Sequence, residues 1–235
     1  MTLVVDDLTV AFGGNTALDG FEIRVDAGEV VGLIGPNGAG KSTAVNAMTG
    51  IIRPNRGSVR VNGIELVGQP PAKILRAGMA RTFQQAQLWR GMTVLQNLTV
   101  PMLHAGRRAA EERAHEVAEI FGITPLLPES AALLPYGARR LVEVSRAMMT
   151  RPDIVMLDEP GAGLSPSEKE GLKDALHTLA ETRVSVLLID HDMDLVMTAC
   201  QRVTVLDVGR VLAEGTPAQI RDNPQVVEAY LGVGL

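Results

Sequence analysis

Short runs of aliphatic and β-branched residues alternate along this chain with stretches whose apolar positions recur every three or four residues, the pattern of strands and helices in turn. In Leu3–Val10, Phe21–Val25 and Ser58–Val61 apolar residues tend to alternate with polar ones, which predicts half-buried strands. Val30–Ile34, Ile154–Leu157 and Val184–Ile189 are nearly all apolar. Continuous runs of that length fit central strands of a parallel sheet covered on both faces by helices. Arg202–Asp207 and Arg210–Ala213 flank Val208-Gly209 and predict a hairpin.

Between Gln84 and Tyr136 the pattern changes. Thr93–His104 and Arg108–Phe121 read as helices, followed by an interruption at Pro125-Leu-Leu-Pro128. Tyr136–Thr150 reads as a helix with Leu141, Val144, Ala147 and Met148 on one face. No strand pattern occurs in this interval, so a helical lobe over residues 84–150 is expected as an insertion in an α/β core formed by 1–83 and 151–235. The tail, Thr216–Leu231, reads as two short helices split by Asn223-Pro224.

A chain of 235 residues fits one domain with a subordinate lobe. With 46% hydrophobic and 21% charged residues, disorder is excluded; with 3% aromatics, the core must be aliphatic, and the ten methionines read as core filler. Twenty-two basic against 27 acidic residues leave a net charge of −5, which argues against a nucleic-acid partner. One cysteine, Cys200, cannot form an internal disulfide and reads as a small buried hydrophobe. The N-terminus lacks the basic and apolar regions of a signal peptide, and no run approaches the roughly 20 apolar residues of a membrane-spanning helix. A cytoplasmic location is expected, with any membrane role exerted through a partner.

Chemistry concentrates in three places. Gly35-Pro36-Asn37-Gly38-Ala39-Gly40-Lys41-Ser42-Thr43 matches GxxxxGK[ST] between an apolar strand and a helical stretch, the context that a phosphate-binding loop requires. Glycines let backbone N–H groups turn inward onto phosphate oxygens, and the helix N-terminus adds partial positive charge. Lys41 would reach the β- and γ-phosphates of a bound nucleotide, and the Ser42 hydroxyl would ligate Mg²⁺. The strand Ile154–Leu157 ends in Asp158-Glu159-Pro160, placing two carboxylates at the sheet edge where open α/β folds bind ligands. Asp158 would hold Mg²⁺, and Glu159 would polarise the attacking water as general base. A third strand delivers His191 to the same edge, where it could contact the γ-phosphate. His104, His115 and His177 read as structural or solvated, and Asp190, Asp192 and Asp194 as strand-end and helix-start groups.

The order of phosphate loop, helical insertion, Leu-Asp-Glu-Pro strand and Asp190-His191 resembles the ATP-binding cassette family over essentially the whole chain. The resemblance implies a P-loop nucleotidase core with a mixed sheet, an antiparallel β subdomain and the inserted α-helical lobe. It matches Phe12 to the aromatic that stacks on adenine. Gln84, with Gln85 beside it as the alternative, matches the Q-loop glutamine, which contacts Mg²⁺ and the lytic water and couples to the membrane subunit. It also implies a signature loop at Leu134-Pro135-Tyr136-Gly137-Ala138, which in family dimers binds the γ-phosphate held by the other subunit.

Two departures stand out. The usual signature is Leu-Ser-Gly-Gly-Gln, whereas Pro135 has neither hydroxyl nor N–H, and Ala138 lacks the amide. Ser165 stands where the family commonly has aspartate. Asp19-Gly20, Ala80-Arg81-Thr82-Phe83-Gln84, Met92–Asn97 and Glu214-Gly-Thr-Pro217 through Ala229-Tyr-Leu-Gly232 further resemble ATP-binding subunits of branched-chain amino-acid uptake systems, with urea and amide relatives not separable. That resemblance implies a subunit on the cytoplasmic face of the plasma membrane. Its partners would be a second cassette, identical or different, two permeases and an extracytoplasmic solute-binding protein. It also makes Trp89 a candidate permease contact, the alternative being a core tryptophan of the helical lobe. The rival readings are a soluble non-transport cassette and a regulatory nucleotide-binding subunit with weak catalysis.

Overall fold

The computed structural model describes residues 2–82 and 88–231, so both Q-loop candidates, Gln84 and Gln85, lie outside the described residues. The chain opens with β1 (Leu3–Phe12), β2 (Asn15–Val25), β3 (Val30–Ile34) and α1 (Lys41–Met48). Then come β4 (Arg56–Val61), β5 (Ile64–Glu65), α2 (Pro71–Arg76) and β6 (Met79–Arg81). The helical interval contributes α3 (Val94–Thr99), α4 (Arg107–Ile120) and α5 (Tyr136–Met148). It is followed by β7 (Ile154–Asp158), α6 (Pro166–Glu181), β8 (Ser185–Ile189) and α7 (Met193–Ala199). A hairpin of β9 (Arg202–Asp207) and β10 (Arg210–Gly215), then α8 (Pro217–Arg221) and α9 (Pro224–Leu231), complete it.

Two sheets form. One is antiparallel, in the order β2-β1-β4-β5; the other is mixed, in the order β10-β9-β3-β8-β7-β6, with only β10 antiparallel to its neighbour. Every residue of β3, β7 and β8 is buried, as their unbroken apolar runs predict. Alternate residues of these strands feed two cores. Val30, Ile34, Val155, Leu157, Val186 and Leu188 face the helical lobe, α6 and α7. Val31, Leu33, Ile154, Met156, Leu187 and Ile189 face α1 and the antiparallel sheet. The mixed sheet is therefore the wall between two hydrophobic layers, and its carboxyl edge is common to both.

Several elements differ from the sequence expectation. The second strand begins at Asn15, not Phe21, because its polar first half pairs with β1 across the Gly13-Gly14 turn. The helix expected over 93–104 is split: Thr93 caps α3 in a reciprocal box with Gln96, and Val100–Ala105 tightens to a 3₁₀ helix at Pro101. On α5, Leu141 and Ala147 are only half-buried, whereas Val142, Glu143 and Ser145 are buried. This helix is covered on most sides, so one apolar stripe does not describe it. Neither α2 nor β6 was expected.

Cys200 is buried beside Gly32, and burial pushes its thiol up to about 12. At pH 8 the thiolate is then roughly three decades scarcer than for an ordinary cysteine near 8.5. Native protein treated with a maleimide should therefore label only as fast as it unfolds, and stoichiometric labelling within seconds would contradict this packing.

Candidate active site

The loop after β3 holds its shape through backbone that other residues resist. Gly35 has φ of 155°, and a Cβ there would lie 2.1 Å from the Leu206 carbonyl oxygen. Gly40, at φ 108°, caps α1 and sits against the Ala17 carbonyl, 2.7 Å from where a Cβ would stand. The loop is pinned from outside as well, since Gly209 N–H donates to Ala39 O at 2.9 Å. These contacts leave Asn37–Thr43 lining an open cleft of about 360 Å³, shared with Asn15, Thr16, Ala17, Glu159, Val208 and Gly209.

Lys41 folds across this loop, its ammonium donating to Gly35 O at 2.6 Å and Pro36 O at 2.9 Å. Burial holds its pKa below the ordinary lysine value, with Glu159 and then Asp158 pulling the other way. The charge is thus kept at the cleft floor, facing the two carboxylates at the end of β7.

Asp158 is 3% exposed and does not itself line the cleft. Its backbone N–H donates to Thr82 Oγ1 at 3.1 Å, and its Oδ2 accepts from Arg81 Nη2 at 3.2 Å. Arg81 also donates to Asn46 Oδ1 at 2.7 Å and Thr49 Oγ1 at 3.1 Å, tying the carboxylate to α1. Glu159 reaches the cleft from a left-handed backbone, φ 50°, with its N–H on Ile189 O at 2.7 Å. His191 Nδ1 lies 3.8 Å from Glu159 Oε1 and 3.6 Å from Asp190 Oδ1. Asp190 is buried and accepts from the backbone N–H groups of Gly161, at 2.9 Å, and Asp192. Asp192 caps α7 and pairs with Lys169, so these aspartates are strand-end and helix-start groups, as expected.

Lys41, Asp158, Glu159 and His191, up to 150 positions apart, therefore meet at one sheet edge. Phe12 does not line the cleft: it pairs with Asn15, which does, and its ring is half exposed. Leu134–Ala138 span the cap and first residues of α5, and none of them lines the cleft. Pro135 takes the cap position without a side-chain bond, and Gly137 lies where a Cβ would meet a Glu168 carboxylate oxygen at 2.5 Å. The Tyr136 ring packs on Gly163, in the loop that follows Pro160. Ser165 caps α6 with Glu168, which explains a serine at that position. The sequence reading missed Arg81, Arg140 and the Asn15–Ala17 wall. Arg81 did lie inside the Arg81-Thr82-Phe83-Gln84 run, but nothing in its spacing pointed it at Asp158.

The donor set suits a hard cation. A hydroxyl, Ser42, lining the cleft and a carboxylate, Asp158, buried at the end of β7 and close enough to act on Lys41 are the oxygen donors that Mg²⁺ beside a polyphosphate uses. Among the described residues no cluster of three or more His, Cys, Asp or Glu could hold a metal by itself, so phosphate oxygens would complete the shell.

Comparison with known proteins agrees with this geometry. The profile of the ABC transporter family matches residues 18–162, and one described as branched-chain amino acid ATP-binding cassette transporter matches residues 210–235. The chain is 44% identical to the high-affinity branched-chain amino acid transport ATP-binding protein BraF of Pseudomonas aeruginosa, over 98% of this chain and 97% of that one. It is 40% identical to LivG of Escherichia coli K12, a protein of the same description, with the same coverage. Among solved structures, an ATP-binding cassette of an ABC transporter in its ADP conformation superposes with a TM-score of 0.90 at 31% identity, covering 99% of both chains. A nucleotide-free cassette gives 0.90 at 30% identity, over 100% of this chain and 99% of that one.

Because the folded-state pKa of Lys41 is lowered, its buried charge is a cost at neutral pH, relieved only as pH rises toward 10.5. Lys41→Met should therefore melt at least as high as the parent in buffer. The parent should gain roughly 5–10 °C at 100 times its nucleotide Kd, and the variant almost nothing, by scanning calorimetry. A lower melting point in buffer, or an equal gain, would count against the site.

Proposed function

Because the chain belongs to the ATP-binding cassettes of ABC transporters, we propose that it hydrolyses ATP to power a membrane importer for branched-chain amino acids or related small solutes such as amides and urea. The observation that carries the reading is the meeting of Lys41, Asp158, Glu159 and His191 beside the loop amides. The catalytic reading of Glu159 rests on its place in the cleft, and the solute class on the names of the relatives.

Chemically, the loop amides and Lys41 bind the β- and γ-phosphates and spread their charge, while Phe12, next to the cleft wall at Asn15, offers the adenine a ring face. Mg²⁺, held by Ser42 and Asp158 with Gln84 as a further ligand, would neutralise charge on the phosphate oxygens. Glu159 takes the proton of a water as that oxygen attacks the γ-phosphorus and the bond to ADP breaks. His191 would contact the γ-phosphate from the neighbouring strand end, its ring 69% exposed and 3.8 Å from Glu159, which lines the cleft.

The signature loop serves a partner cassette. The first amides of α5 have no intrahelical acceptor and receive no side-chain cap, and Pro135 supplies no hydroxyl and no N–H. Elsewhere in the helical interval, Trp89 is 47% exposed, and buried Asn97 accepts from its backbone N–H at 2.8 Å and donates to its carbonyl at 3.1 Å. Its ring carries the Arg146 guanidinium 4.9 Å from the centroid. An anchored, half-exposed tryptophan suits a permease contact. The two permeases would take the solute from an extracytoplasmic binding protein, and the cassette would sit at the cytoplasmic face. No helix among the described residues is long and apolar enough to cross a membrane.

In the transporter reconstituted with its permeases, Glu159→Gln should lower ATP turnover by roughly 10²–10⁴ while nucleotide binding survives; undiminished phosphate release would refute the assignment. If the second cassette is a different chain with a complete signature, the two composite sites are unequal. A lost charge-assisted hydroxyl contact corresponds to about one to two decades. Mixed dimers with one catalytic glutamate removed should then show the slow site to be the one facing Pro135, and equal rates would contradict it.

A further inference from the structure

We propose that Arg140 is the positioning residue for Glu159, transmitting the placement of the signature helix to the general base; this rests on the ATPase reading above. Arg140 lies in the second turn of α5, five residues after Pro135, and is the largest fully buried side chain among the described residues. A buried guanidinium is costly unless its donors are engaged. Nη1 donates to Glu143 Oε2 at 2.8 Å, within a pair that is 0% and 2% exposed. Nη2 donates to two main-chain carbonyls, those of Asp158 and Glu159, the latter at 2.8 Å.

Those carbonyls belong to the residues where β7 leaves the sheet. Glu159 there adopts φ of 50°, a conformation costing a non-glycine residue about 1–3 kcal/mol unless its surroundings impose it. Its N–H donates to Ile189 O, and its carbonyl accepts from Arg140 Nη2 at 2.8 Å and from the Ala162 N–H at 3.2 Å, so the residue is held on both sides, with Arg140 reaching it from α5. With the backbone set, the carboxylate is aimed into the cleft beside His191. Remove the guanidinium and Glu159 can relax toward ordinary dihedrals, turning the carboxylate away. The same side chain is rigidly joined to the loop that faces the partner's nucleotide. Movement of α5 relative to β7 therefore acts on the base directly.

The ion pair offers a clean separation of positioning from folding. Removing Arg140 alone would take from buried Glu143 its 2.8 Å ion-pair partner, whereas replacing both partners by apolar residues of similar volume is often neutral for stability. Arg140→Met with Glu143→Met, in the transporter reconstituted with its permeases, should keep its melting point within a few degrees and its nucleotide affinity within about threefold. Its kcat should fall roughly 10–100-fold with little change in KM, the size expected of a misplaced catalytic group. Glu143→Gln, which retains the guanidinium, should keep most of the parent's turnover. Arg140→Lys is the fallback if the double variant fails to fold: one ammonium cannot serve Glu143 and both carbonyls equally, so kcat should again fall with binding retained. Parental kcat in a folded double variant, or in Arg140→Lys, overturns the proposal while leaving the ATPase reading intact. Absence of turnover in the parent overturns both.

Discussion

The parallel register of β3, β7 and β8 is the constraint from which the site follows. Because these strands run the same way, the phosphate loop, the Asp158-Glu159 pair and His191 all leave the sheet at one edge. Their apolar runs bury both faces, so the strands cannot slip without moving side chains between two cores. The hydrophobic effect thereby locates charged chemistry: it fixes the wall, and the polar groups are whatever follows each strand.

Around that edge the charges are held rather than free. Lys41 rests on two loop carbonyls, Asp158 on Arg81, Asp190 on two backbone amides, and Glu159 on Ile189 and Arg140 through its main chain. A site so arranged presents preformed dipoles to a polyanion and needs little reorganisation when charge develops. The residues read as hydrolytic are all present in the sequence, whereas the loop read as the signature departs from Leu-Ser-Gly-Gly-Gln at Pro135 and Ala138. Tyr136 on Gly163 and Glu168 against Gly137 lock that loop to the segment following the catalytic carboxylates.

Legibility in the sequence followed the strength of local signals. The three central strands were plain from their apolar runs, and the phosphate loop, Asp158, Glu159 and His191 from their positions directly after them. The first half of β2 was hidden because Asn15, Thr16, Asp19 and Gly20 carry no apolar alternation; cross-strand pairing with β1 decides that segment. The three-residue β6 was too short to show a period. Arg140 was unreadable for a different reason. Next to Arg139 at a helix start it resembles a solvated charge, and only the tertiary fold brings the Asp158 and Glu159 carbonyls to its guanidinium. Arg81 was hidden likewise, its partner lying 77 positions later.

The central claim is that residues from position 35 to 191 enclose one metal-bound triphosphate. Electron–nuclear double resonance on the chain loaded with ATP and Mn²⁺ in place of Mg²⁺ tests it most directly. After free metal and nucleotide are removed by gel filtration, the parent should retain a manganese signal with phosphorus couplings from two phosphate groups, and Lys41→Met should retain almost none. A manganese signal without phosphorus coupling, or one unchanged by that substitution, would show that the cleft does not hold the nucleotide.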